Sequence, residues 1–271
     1  MILADMHMHS NFSTDSEEDP RNIVETAIAR GLTQITITDH MDIEWPEDNT
    51  QFIFDPVPYF ETWNKLKEEY SDRIYLAIGM EFGLRDEQNV VPIIDAKWKE
   101  LRELPFEFII GSTHLCDNAD PYYDNFWEGH NVNDRIYEYY NSVLYNVEHY
   151  EGFDVYGHLD YISRYVPEGN HYEVTRYMDV YEKVLKTLIE RGIGLEINTS
   201  LLNKGYAKPN PDPLILKMYR QMGGEIITCG SDAHQAVNIG GHFKEATDIL
   251  KACGFKYYTV FKNHKPEFLP L

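Results

Sequence analysis

Apolar and polar positions along the chain alternate between two periods. Short runs rich in β-branched residues are followed by stretches whose apolar residues recur at helical spacing. Residues 2–6 form a short apolar run. Asp19-Pro20 then offers an N-cap with proline at the first helical position. Ile23, Val24, Ala27 and Ile28 keep a helical period, and Gly31 is placed to end that helix. A β-branched run over 34–38 reads as a strand. The pattern repeats as helix then strand over 58–70 and 74–80, 93–104 and 107–111, 133–150 and 154–156, and 173–191 and 194–198. It continues over 213–222 and 225–229, and over 243–252 and 257–261. Such alternation predicts a parallel sheet with helical crossovers, and seven or eight units favour a closed α/β barrel over an open sheet. Two longer loops, 41–57 and 115–132, are of the length that often covers a substrate.

No linker or low-complexity segment divides the 271 residues, so 1–271 is expected to be a single domain, within the usual size of an α/β barrel. The net charge of −21 disfavours nucleic acid and anionic membranes as partners. It also poses a problem for an anionic substrate, which bound cations would solve by reversing the local field. Three cysteines at wide spacing imply neither a disulfide framework nor a thiolate metal site. No apolar run reaches the ~18 residues of a membrane span, and no leader pattern opens the chain, so the expected location is cytoplasmic.

The chemistry lies where the strands end. They run into Asp5-Met6-His7-Met8-His9, Thr38-Asp39-His40, Gly79-Met80-Glu81, Gly111-Ser112-Thr113-His114, Gly157-His158-Leu159-Asp160, Glu196-Ile197-Asn198 and Ser231-Asp232-Ala233-His234. In a β/α barrel those ends converge on one face, where active sites lie. Six of the 11 histidines fall there. His7 and His9 stand two apart on a strand and point to the same side, so both can reach one cation. Imidazole and carboxylate donors without sulfur suit zinc, manganese or iron. The donors exceed one tetrahedral shell, so two or three divalent ions are expected, with Glu81 able to bridge a pair.

These motifs resemble those of the PHP (polymerase and histidinol phosphatase) family, in the family's order from residue 5 to residue 234. His9-Ser10-Asn11-Phe12-Ser13-Thr14-Asp15 and Glu196-Ile197-Asn198-Thr199 make the chain most similar to the monofunctional histidinol-phosphate phosphatases. The resemblance implies a distorted (β/α)7 TIM-like barrel, with the 257–261 run a candidate to lie outside its closure. It implies a trinuclear site: His7, His9, Glu81 and Asp232 at the first metal; Glu81, His114 and His158 at the second; Asp15, His40 and His234 at the third. Glu81, Asp232 and Arg164 would be catalytic. It also implies that Arg164 binds the phosphate, for which a planar guanidinium is suited. Asp5, and likewise Asp39 and Asp160, are placed to orient ligand histidines.

The implied activity is hydrolysis of L-histidinol phosphate to L-histidinol and phosphate in histidine biosynthesis, with a metal-bridging hydroxide as nucleophile. The partners expected are a small phosphorylated substrate and, as an open possibility, further copies of the chain. Glu44, Trp45, Asp117, Tyr122, Tyr123, Phe126 and Trp127 in the two long loops are candidates to receive the amino and imidazole groups of histidinol. The same ligand set would serve a phosphoesterase for a nucleotide, a sugar phosphate or phosphotyrosine. A nuclease, disfavoured by the charge, and a non-catalytic module are the remaining readings.

Overall fold

Asp19 accepts hydrogen bonds from the backbone N–H groups of Arg21 and Asn22, capping the helix Pro20–Ala29. The same device recurs at Asp55 before the helix Pro56–Glu69 and at Asp212 before Pro213–Gln221. Each such cap stabilises its helix by ~1 kcal/mol, and the following proline has no N–H to leave unpaired. Asn131 caps Val132–His149 in the same way. Gly192, at φ 69°, ends the helix Met178–Arg191 in the left-handed conformation. A computed structural model of the chain describes residues 1–46 and 48–271.

The strands between these helices form one parallel sheet. β1 (Ala4–Asp5) pairs with β2 (Gln34–Ile37). β2 and the two-residue β3 (His40–Met41) both pair with β4 (Tyr75–Gly83). β5 (Phe108–Ser112), β6 (Val155–Tyr156), β7 (Gly194–Asn198) and β8 (Ile227–Gly230) follow in order. Hydrogen bonds from Met6 N–H to the Cys229 carbonyl (2.9 Å) and from His9 N–H to the Ala233 carbonyl (2.9 Å) join the last strand to the first. The result is the seven-stranded distorted barrel implied by the sequence, its second strand broken at Thr38-Asp39 into β2 and β3. At the break the Asp39 carbonyl still accepts from Glu81 N–H at 3.0 Å.

β1 and β6 are each two residues long, shorter than the runs the sequence predicts, because the chain leaves the ladder early to present the histidines that follow. The barrel strands are buried on both faces apart from the first residue of β4, and Trp63, Tyr59 and Leu66 of Pro56–Glu69 pack against them. The helix predicted to begin at 173 opens instead with a 3-10 turn, Val174–Tyr177. Short helices at Asp124–Trp127 and Ser200–Asn203 were not foreshadowed by periodicity. Among the described residues no helix is long and apolar enough to cross a membrane.

β9 (Tyr257–Lys262) lies outside the closure, as the resemblance suggests. It pairs antiparallel with β10 (Lys265–Pro270), which sequence reading missed. Two prolines and an exposed side-chain row give β10 no strand signature, although proline is tolerated on an edge. His264 in the hairpin turn ties the pair to the barrel, with Nδ1 2.9 Å from Asp154 Oδ2 and Nε2 2.8 Å from the Phe106 carbonyl.

The hydrogen bond to Asp154 raises the His264 imidazole above its ordinary value of 6.5, against partial burial. A raised folded value means the contribution is complete below ~6.5 and is lost as pH climbs through the folded value. The stability gap between the native protein and His264→Gln, measured by urea unfolding, is expected to be widest in mild acid and to narrow in alkali. A gap of constant size would show that the imidazole acts only by packing.

Candidate metal centre

Glu81 projects from the C-terminal part of β4 and is wholly buried. Its Oε1 accepts from Ser112 Oγ (2.6 Å) and lies 2.8 Å from His158 Nε2 and 3.2 Å from His114 Nε2. Its Oε2 lies 3.1 Å from His7 Nε2, 3.5 Å from His9 Nε2 and 3.2 Å from His40 Nδ1. The two oxygens therefore face different sets of imidazoles, the arrangement a bridging carboxylate requires.

The edges between donors give the scale of what fits between them. Two ligands at ~2.1 Å from one ion at a tetrahedral angle stand ~3.4 Å apart. His7 Nε2 and His9 Nε2 are 3.1 Å apart. Asp232 Oδ1 lies 3.2 Å from His9 Nε2 and 3.7 Å from His7 Nε2. Glu81 Oε2, 3.1 and 3.5 Å from the two imidazoles, supplies two more edges of such a tetrahedron. Glu81 Oε1, His114 Nε2 and His158 Nε2 form a triangle, closed by a His114–His158 separation of 3.4 Å, which leaves further positions open. Asp15 Oδ2 stands 3.0 Å from His234 Nε2 and 3.7 Å from His40 Nε2. His40 also reaches Glu81 through Nδ1, so it stands between the second and third sets.

Four buried polar atoms here lack a hydrogen-bond partner: His40 Nδ1, Asp42 Oδ2, Glu81 Oε2 and His158 Nδ1. An unsatisfied buried group costs ~1–3 kcal/mol, more when charged. Donor types, spacing and unpaired atoms all fit divalent cations.

The rings are held from behind by residues that sequence reasoning did not assign. Glu196 Oε1 accepts from His7 Nδ1 at 2.7 Å, and its other oxygen accepts from His158 N–H at 2.9 Å. Asp42 Oδ1 accepts from His114 Nδ1 at 2.8 Å. Glycines make room for these carboxylates: a Cβ at Gly230 would stand 2.3 Å from Glu196 Oε1, and one at Gly83 would stand 2.1 Å from Asp42 Oδ1. Asp232 sits at φ 52°, a left-handed backbone that costs a non-glycine residue ~1–2 kcal/mol.

The aspartates expected to orient ligand rings do not meet them directly. Asp5 accepts from the backbone N–H of Ser231 (2.9 Å) and Gly240 (2.8 Å). Asp160 accepts from Asn210 Nδ2 (2.6 Å) and Asp212 N–H (2.9 Å). Asp39 accepts from Ser10 and Ser13. None of the three touches a ligand imidazole.

Arg164 is buried beside Asp232 and locked in place. Its Nε donates to Asn210 Oδ1 (2.6 Å), and its terminal nitrogens donate to Asn198 Oδ1 (3.2 Å) and Asp232 Oδ2 (3.4 Å). It shares a cavity of ≈ 1250 Å³ with Asp15, His40, His114, His158, Asp232 and His234. Trp45, Tyr122 and Tyr123 line that cavity as expected, and so do Asp120, Tyr161 and Lys204, which were not anticipated. Phe126 and Trp127 are buried in the core instead, and the exposed Asp117 pairs with the buried Arg135. The cavity's two long-loop walls meet at Arg85, buried behind them, which donates to the Glu44 carbonyl (3.1 Å) and to Asn118 Oδ1 (2.8 Å).

The model for the PHP domain matches residues 5–200. The chain belongs to the PHP family. Within the family it is 31% identical over 269 residues to the histidinol-phosphatase of Lactococcus lactis subsp. lactis, covering 98% of this chain and 96% of that one. It is 32% identical to a probable histidinol-phosphatase of Clostridium acetobutylicum, covering 94% and 95%. A PHP structure with a TM-score of 0.88, 30% identity and 98% coverage of each chain is that of the histidinol phosphate phosphatase of Lactococcus lactis subsp. lactis, solved with zinc, L-histidinol and phosphate.

Protons and cations compete for the same lone pairs. Burial opposes a proton on His114, but Asp42 and Glu81 outweigh it and push the imidazole up to about 10. Burial, aided by His234 and His40, pulls His9 down to about 3. Burial also acts against the Asp15 carboxylate, yet His40 and His234 hold it well below the usual range. With His114 protonated at neutral pH, metal uptake must expel that proton. Calorimetric titration of the chelator-stripped protein with zinc, in buffers of different ionisation enthalpy, is expected to show net proton release and weaker binding in acid. Heats independent of the buffer would contradict this ligand assignment.

Proposed function

We propose that residues 1–271 form one catalytic domain that hydrolyses L-histidinol phosphate to L-histidinol and phosphate. The observation that carries this reading is the meeting, in one cavity, of six assigned donors, Asp15, His40, His114, His158, Asp232 and His234, with the buried guanidinium of Arg164. The likeness to the Lactococcus enzyme over nearly the whole chain supports the substrate.

In this reading His7, His9, Glu81 and Asp232 hold one ion, Glu81, His114 and His158 a second, and Asp15, His40 and His234 a third. Divalent cations supply Lewis acidity toward phosphoryl oxygens and a water acidified to a pKa of ~7. Glu81, whose two oxygens face different imidazoles, would contribute to both of the first two positions. Asp232 does double duty, with Oδ1 toward the histidines and Oδ2 toward Arg164. Arg164 is oriented by Asn198, Asn210 and Asp232 before substrate arrives, so its donors need little reorganisation as phosphoryl charge develops. Lys204 adds a second positive charge at the exposed edge of the cavity.

The leaving alcohol carries an ammonium group. Asp120 is a buried carboxyl on the cavity wall, accepting from Tyr161 Oη at 3.2 and 3.3 Å and from Tyr122 N–H at 2.8 Å. Burial pushes it up to about 6, and an ammonium partner would hold it ionised. The rings of Tyr122, Tyr161 and Tyr165 pack edge to face around it and offer surfaces for a flat heterocycle.

Phosphate release from L-histidinol phosphate, with zinc or manganese restored after chelation, is expected to exceed that from nucleotides, sugar phosphates and phosphotyrosine by orders of magnitude in kcat/KM. Weak, even activity across the panel would leave a phosphoesterase with a different substrate. Asp120→Asn is expected to raise KM for L-histidinol phosphate by ~10-fold or more, the scale of a lost charge-assisted hydrogen bond. Hydrolysis of p-nitrophenyl phosphate, which has no amine, should be little altered. An equal loss on both substrates would remove Asp120 from alcohol recognition.

A further inference from the structure

His9 is the one first-tetrahedron imidazole whose rear nitrogen does not meet a carboxylate. Its Nδ1 lies 3.1 Å from Ser13 Oγ. That hydroxyl is wholly engaged. It accepts from His40 N–H at 3.0 Å and lies 2.8 Å from Asp39 Oδ1. Asp39 is itself buried and takes Ser10 N–H at 2.6 Å and Ser10 Oγ at 2.9 Å.

A hydroxyl has one proton and two lone pairs. The backbone N–H of His40 can only donate, so it occupies one lone pair. The Asp39 carboxylate can only accept, so it takes the proton. The second lone pair is all that remains for His9, and a lone pair can only accept. The His9 proton must therefore sit on Nδ1, which leaves Nε2 bare.

We infer that Ser13 is a positioning residue that, oriented by Asp39, fixes His9 as the Nδ1–H tautomer and so aims a free Nε2 lone pair at the metal position. Glu196 fixes His7 in the same tautomer directly. With both rings neutral, the two Nε2 atoms, 3.1 Å apart, would turn their lone pairs toward the same position, an arrangement that a cation between them relieves. Ser13 joins two ligands at once, because the same oxygen anchors the backbone of His40. The Asp39–Ser13–His9 chain thus passes the polarising influence of a carboxylate through a neutral hydroxyl, while Asp42 and Glu196 act on their rings by contact.

This inference rests on the metal reading above. Long-range proton–nitrogen correlation spectra of the 15N-labelled, zinc-loaded protein, assigned with a His9→Asn sample, report which ring nitrogen of His9 carries hydrogen. The expected result is a proton on Nδ1, and a proton on Nε2 overturns the inference. Chelator competition provides a second readout. Ser13→Ala is expected to weaken zinc binding by ~10–100-fold, the usual cost of losing a group that orients a metal ligand. Ser13→Thr, which keeps the hydroxyl, should recover most of that loss. Unchanged zinc affinity in Ser13→Ala also overturns the inference. If the unaltered protein takes up no zinc, the metal reading fails and this inference with it. If zinc binds but the proton lies on Nε2, this inference fails alone.

Discussion

A carboxylate buried without access to water is the constraint around which this barrel is organised. Even after relaxation, burying such an ion costs several kcal/mol. The single hydroxyl of Ser112 returns only ~1.5–3 kcal/mol to Glu81. The balance has to come from positive charge, and the sequence sets around the Glu81 oxygens five imidazoles within 3.5 Å that can hold cations there: His7, His9, His40, His114 and His158. They arrive from the segment after β1, from β3 and from the loops after β5 and β6. Only a closed barrel brings those elements to one point, so closure and site are one requirement.

The same electrostatic logic extends outward. Imidazoles that must present one bare nitrogen need a fixed proton on the other, and Glu196 and Asp42 supply the acceptors. Each adds another buried negative charge, which deepens the demand for cations at the centre. Close approach then becomes a backbone matter, since any side chain at Gly230 or Gly83 would displace the supporting carboxylate. The left-handed backbone at Asp232 is a further local cost that the surrounding contacts sustain. A chain with net charge −21 can accept a phosphate here because its acids are concentrated where cations would offset them.

Much of this was legible in the sequence. Histidines at strand ends reveal the site because strand direction fixes where side chains go, and parallel alternation fixes which ends converge. Every residue assigned as a ligand stands in the cluster, and Arg164 stands beside it. What was not legible depends on which of several nearby acceptors a given donor meets. Asp5 lies two residues from His7 on the same strand, yet its carboxylate turns to the backbone N–H groups of Ser231 and Gly240, which lack ladder partners. Asp42 reaches His114 from a loop that carries several acids, and periodicity does not distinguish among them. Asp120 was passed over for Asp117 in the same loop, because the turn at Asp117 and Asn118, both at φ 55°, sends one acid to solvent and the other inward. β10 was invisible because an edge strand of lysine and proline is stabilised by its partner and not by its own propensity.

The buried guanidinium of Arg85 has a consequence for how this cavity can diverge. It grips the loop after β3 through Glu44 and the loop after β5 through Asn118, while Glu87 holds Arg85 and the Asn118 backbone together. Trp45 on one loop and Asp120 and Tyr122 on the other therefore share a common anchorage. Neither wall can drift alone without breaking a buried charge from its partners. Lineages that accept a new alcohol would have to remodel both loops in concert, whereas the metal cluster beneath, carried by strand ends, could pass through such change intact.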